Sequence, residues 1–214
     1  MINKKGKYES ESDITDDIIN VKGDFIVNGN VTAETLLVNG SVFVSENINV
    51  KTININGKFE AKCIKAKELK VNGSVVCDKI NTQLLSIHGQ VNCNSIESDS
   101  VNLLLSNTNK IHNIKGKSIS IDKYKSTDIS TFSEKLKENI SFLKFVDIDG
   151  IYNKFTDDLN KETKISIDKI DGEEIKINNS SVGLIIYDTL DLGSDCCVKT
   201  CRKRERMRLQ NTLS

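Results

Sequence analysis

Proline and tryptophan are both missing from this 214-residue chain, and aromatic residues make up only 5% of it. A wide aromatic core is excluded. Aliphatic side chains stacked on one another suit a narrow bore in which a Trp would not fit. Without proline, every backbone N–H beyond the first residue is available to a strand ladder. Net charge is absent too: 30 Lys and Arg balance 30 Asp and Glu, which removes the electrostatic case for nucleic acid as a partner. No apolar run approaches the length of a membrane-spanning helix. The basic start, Lys4, Lys5 and Lys7, has no apolar stretch behind it and does not read as a secretory signal. The expectation is a cytoplasmic protein with reduced thiols.

What is present is one pattern written repeatedly. Residues 58–73 place apolar or small side chains at Phe59, Ala61, Ile64, Ala66, Leu69 and Val71 and close on Asn72-Gly73. Residues 74–89 repeat this with Val75, Cys77, Ile80, Thr82, Leu85 and Ile87, and residues 90–105 with Val91, Cys93, Ile96, Ser98, Val101 and Leu103. Upstream, residues 24–40 and 41–57 carry the same pattern from Phe25 and Val27 onward, each with one extra residue at the first corner. Residues two apart share one face of a strand. Three such pairs per repeat, separated by corner residues, describe an all-β parallel β-helix, a solenoid with a triangular cross-section and about 16–17 residues per coil. Helical rows at i, i+3, i+4 and i+7 are missing from these repeats.

The glycines at Gly40, Gly57, Gly73 and Gly89 mark corners that need a positive φ, and stacked Asn side chains there can bond along the axis. Asn-Gly also marks β-hairpins. Hairpin strands would fill the space between turns evenly, whereas two further pairs intervene here.

The chain divides accordingly. Residues 1–17, charged throughout, read as a disordered arm. Residues 18–121 carry coils. Residues 122–163 break the pattern and read as a helical insert: Thr131 and Glu134 resemble a capping box before Phe132, Leu136, Ile140 and Leu143. Residues 164–198 resume the coils, and 199–214 form a basic tail. About eight coils, roughly 35–40 Å of rod, follow from the strand spacing. No convincing cap covers either end, and an uncapped coil is a template for association.

The run Val21-Lys22-Gly23-Asp24-Phe25-Ile26-Val27-Asn28-Gly29, the Val-Asn-Gly corners, and the late segment Ile170-Asp171-Gly172 through Ile177-Asn178-Asn179 resemble the bactofilins, polymer-forming bacterial cytoskeletal proteins. Leu190-Asp191-Leu192-Gly193-Ser194-Asp195-Cys196 is similar to the glycine-containing final coil of the family's Gram-positive branch. The resemblance covers residues 19–121 and 164–198. It implies a right-handed helix, nucleotide-independent filaments made of the protein itself, and scaffolding of envelope or shape-determining proteins, often at the inner membrane face. The insert and the proline-free tails depart from the family pattern.

Other functions weigh less on these residues. Left-handed β-helix acyltransferases use hexapeptide coils and a catalytic His. Here His88 and His112 are the two histidines, His88 lies at an ordinary corner, and the spacing is not hexapeptide. No catalytic motif, cofactor site or metal site is expected. Cys196, Cys197 and Cys201 lack a fourth ligand and a standard knuckle spacing. Cys77 and Cys93 share one inward column and read as small apolar residues. Arg202, Lys203, Arg204, Arg206 and Arg208 are the candidate contact for an anionic partner, membrane surface ahead of nucleic acid. A monomeric solenoid used for recognition or adhesion is the alternative of a different class.

Overall fold

The computed structural model describes residues 1–124 and 163–204. Within them the chain is a β-solenoid of about ten turns, with strands in parallel register from one end to the other. The elements are β1 (Ile2–Lys5), β2 (Tyr8–Ser10), β3 (Ile14–Val27), β4 (Val31–Lys65), β5 (Glu68–Leu105), β6 (Thr108–Lys123), β7 (Lys164–Ile177), β8 (Ser181–Leu192) and β9 (Cys197–Lys203). The long elements bend at the corners and wind on, so β4 and β5 each run through more than one face.

Inward positions stack in columns because each coil repeats the spacing of the last. Ile14 pairs with Val31, Ile64 with Ile80, Ile96 with Ile114, and Ile170 with Ile185. A second column carries Phe25 on Val42 and Phe59 on Val75. Phe25, Val27, Phe59, Ile64, Leu69, Val71, Val75, Ile80, Leu85, Ile87, Val91 and Ile96 are all buried in one continuous core. Outward neighbours alternate with them, as the period of a strand requires.

Each departure from a uniform coil has a local reason. The extra residue of the early coils is Asn30 and then Asn47, whose side chains pair from coil to coil. The Asn30 backbone N–H donates to Asp13 Oδ1 at 2.7 Å, and that of Asn47 donates to Asn30 Oδ1 at 3.2 Å. The added corner residue therefore leaves no N–H unmatched. At the third corner Asn72 Nδ2 donates to Asn56 Oδ1 at 2.8 Å, an amide ladder along the axis. Below β6 the turn Ser106-Asn107, with Asn107 at φ 59°, lengthens one coil and brings Asn109 into a core column at 1% exposure. Asn109 Oδ1 accepts the Val91 N–H at 2.7 Å, and its Nδ2 donates to the carbonyls of Ser106 and Asn107 at 2.9 and 3.0 Å. Asn109→Leu removes that acceptor and strands the Val91 N–H. The expected cost is about 1–3 kcal/mol, read as a lower urea midpoint and faster hydrogen exchange at Val91.

Three sequence expectations change. Residues 1–17 are the first turns of the solenoid rather than a disordered arm: Ile2, Tyr8 and Ile14 pair in register with Ile19, Phe25 and Val31. Their charged neighbours point outward, so a segment polar on average still supplies one apolar residue per face. The coils also run past residue 198, since β9 continues to Lys203 on β8, and the turns number about ten rather than eight. The helical reading of 122–163 is not borne out. Among the described residues there is no helix, Asp122 and Lys123 belong to β6, and Lys164 opens β7. Residues 125–162, with the Thr131 capping pattern, lie outside the described residues. β6 and β7 pair directly, Ile119 with Ile175 and Ile121 with Ile177, so the core runs on across the insertion.

Candidate assembly interface

A parallel solenoid leaves two open edges, because its first and last coils have a neighbour on one side only. Among the described residues, β1 and β2 pair with β3 alone and β9 pairs with β8 alone. The core columns come to the surface at both edges. Ile2 and Tyr8 are half-buried where Ile19 and Phe25, the next residues of their columns, are 0% exposed. At the other end Leu192 is 43% exposed, and Cys201 is exposed above fully buried Ile185. Among the described residues, both edges thus combine strand backbone paired on one side with apolar side chains that coils elsewhere cover.

Outward side chains form axial columns of their own. Ion pairs join adjacent coils at the corners: Glu34 with Lys51 at 3.0 Å, Glu46 with Lys62 at 3.2 Å, Asp99 with Lys117 at 2.8 Å. The hydrogen bond to Asp99 raises the Lys117 ammonium pKa above its usual value. At the first coil the Met1 ammonium contacts Asp16, and that hydrogen bond holds the Asp16 carboxyl below the usual carboxylate range. Exposed pairs of this kind add little stability each. Their value lies in fixing which residue sits above which.

The lateral surface carries a shallow groove of about 630 Å3, lined by Phe43, Glu60, Val76, Asn92, Lys110 and His112 among others. Phe43 and Val76 are outward residues at 38% and 46% exposure, an apolar floor between charged walls. His112 Nδ1 lies 2.6 Å from Asp168 Oδ2 at its end. Beneath it the Cys77 and Cys93 sulfurs stand 3.4 Å apart inside the core. The hydrogen bond to Cys93, with burial, pushes the Cys77 thiol far up, so it stays protonated. No nucleophile and base meet here in a hydrogen-bonded pair with a third orienting group.

Gly40, Gly57, Gly73 and Gly89 all take positive φ, between 136° and 147°, at one corner. Gly23 at φ 137° and Gly6 at φ 85° extend that column toward the N-terminus. Cys196 and Val198 pack on the core, Cys197 faces outward beside Ser181, and no group of three or more metal-ligating side chains gathers among the described residues. The candidate anionic contact is divided. Arg202 and Lys203 are exposed on β9, whereas Arg204 reaches back to Asp171 and, at 3.7 Å, to Asp188. The Asp171 hydrogen bond raises the Arg204 pKa further, and the side chain is committed to the rod. Arg206 and Arg208 lie outside the described residues. The acidic residues Glu11, Asp13, Asp16 and Asp17 read in the sequence as part of a charged arm, and their place on the first coil shows only when the coils are aligned. Comparison with family models, with curated proteins and with solved structures returned no match to this chain.

Proposed function

We propose that this protein is a structural, non-enzymatic solenoid that assembles end to end into nucleotide-independent filaments. It would serve, as the bactofilins do, as a cytoplasmic scaffold for envelope or shape-related proteins at the inner membrane face. The observation that carries this reading is the state of the two ends: among the described residues β1, β2 and β9 each have one strand neighbour, and core columns surface beside them. Open parallel edges with apolar residues favour addition of another strand layer. A monomeric recognition module is the second reading, favoured by the Phe43 and Val76 groove. Negative-stain electron microscopy of the purified protein without nucleotide tests the choice. Long, thin, unbranched filaments are expected. Discrete particles at high concentration and across salt conditions would reject assembly and leave the groove as the functional surface.

A further inference from the structure

Two sulfurs meet inside the rod where the neighbouring coils put hydrocarbon. In this inward column Val27 pairs with Val44, Ala61 with Cys77 and Cys93 with Ile111. Cys77 Sγ donates to Cys93 Sγ, one coil away, at 3.4 Å. Their coils are held in register beside this contact. Asn94 Nδ2 donates to Asp78 Oδ1 at 3.0 Å, and Thr82 Oγ1 donates to Ser98 Oγ at 2.9 Å. Cys93 Sγ also lies 3.3 Å from the Ser95 carbonyl oxygen and 3.6 Å from that of Asp78, which fixes its rotamer beside Cys77.

The two thiols are not equivalent. Their hydrogen bond, with burial, pushes the Cys77 thiol up, whereas accepting that bond draws the Cys93 thiol down. One sulfur keeps its proton and the other is the better thiolate, the form that acts as nucleophile. Neither is sealed off. Cys77 keeps 8% exposure and Cys93 4%, while Val75 and Val91, the inward residues just before them, keep none. Both cysteines line the lateral groove, so a small molecule entering it reaches the sulfurs.

We propose that Cys77 and Cys93 form a reversible oxidation site, a dithiol that a small hydroperoxide converts into a disulfide between adjacent coils. Cys93 sulfur attacks a peroxide oxygen and the O–O bond breaks. With hydrogen peroxide, the Cys93 proton leaves with the departing hydroxide as water, and Cys93 becomes a sulfenic acid. Cys77 sulfur then attacks Cys93 sulfur. The S–O bond breaks, the S–S bond forms, and the Cys77 proton leaves with the hydroxide as a second water. Two thiols lose two electrons, and one peroxide is reduced to two waters. Adjacent strands stand ~4.8 Å apart, inside the roughly 4.4–6.8 Å Cα separation of disulfides. In-register β-carbons at that spacing lie slightly beyond the ~3.5–4.5 Å of a relaxed disulfide. The bond is therefore strained and easily reduced, as suits a sensor rather than a staple. Val76 and Asn92, the outward neighbours of the two cysteines, both line the groove, so drawing the sulfurs together reshapes its floor. None of this depends on whether the rod assembles.

The test uses the full chain, reduced, freed of reductant and treated with hydrogen peroxide while folded. Remaining thiols are alkylated in denaturant and the tryptic peptides mapped by mass spectrometry. Cleavage after Lys79 puts Cys77 and Cys93 on separate peptides. The expected result is that both free-thiol peptides are lost together. A single cross-linked peptide replaces them, and dithiothreitol restores both. Cys77→Ala should stop at the Cys93 sulfenic acid, trapped by dimedone, and Cys93→Ala should leave Cys77 unoxidised. Ala61, paired with Cys77, shows that the column accepts alanine. Oxidation confined to the exposed Cys197 and Cys201 overturns the site. So does a cross-link to Cys63, further oxidation of Cys93 without a cross-link, or a Cys77–Cys93 bond that forms only in urea. The wild-type map decides even where an alanine variant fails to fold.

Discussion

Gly57→Ala should be among the most damaging single-atom additions at the described residues. Gly57 sits at φ 139° between Gly40 and Gly73, and an added Cβ would overlap the carbonyl oxygen of Gly40. The obstacle is backbone of the neighbouring coil, which cannot swing aside as a side chain would. Backbone strain at such a φ costs about 1–3 kcal/mol by itself, and the overlap forces the coils apart at a corner, breaking ladder bonds on both flanks. A loss of more than ~3 kcal/mol is expected, seen as a collapse of the urea midpoint or as insoluble protein. Gly6→Ala is the control. Its φ of 85° is also positive, but nothing lies within 4 Å of the added atom. It should cost about 1 kcal/mol, from strain alone. Equal effects at the two sites would show that φ, and not coil-to-coil contact, decides this corner.

The second large effect is expected from Phe59→Ala. Phe59 is 1% exposed and fills the bore in one column with the smaller Val42 and Val75, with Phe25 and Tyr8 as the other aromatic side chains of that column. Truncation leaves a void that neighbours on rigid strands cannot close, for about 3–5 kcal/mol. Because coils hold only their neighbours, a defect in the middle of a solenoid weakens both halves at their junction. Phe43→Ala provides the contrast: Phe43 points outward at 38% exposure, and its loss should stay within ~0.5–1 kcal/mol. Urea titrations of the two variants decide the matter. A Phe43→Ala cost matching that of Phe59→Ala would mean that the groove is packed in solution.

Much of this architecture is written in the sequence at a spacing of two. The inward columns from Phe25 to Ile96 and the corner glycines follow from pairs of apolar residues and their regular distance. What escaped that reading did so for physical reasons. In residues 1–17 charged and polar residues outnumber the apolar ones on each face, so average polarity hides Ile2, Tyr8 and Ile14. They stand out only against Ile19, Phe25 and Val31, the residues they pair with. Asn109 breaks the column pattern because its side chain replaces a backbone partner, which no hydrophobicity count can register.

The direct pairing of β6 with β7 has a consequence for how this chain can change. Tyr124 and Thr163, which bound the segment 125–162, stand at a single corner of the rod, where Thr108–Ile121 stack on Lys164–Ile177 as if nothing intervened. The length of that segment is thus uncoupled from the height of every coil. Closing a loop twice as long costs only about 0.6 kcal/mol more, so that corner can accept, lose or exchange whole sequences while the columns above and below keep their places. Cargo grafted there would ride at a fixed level on the rod, whatever its size.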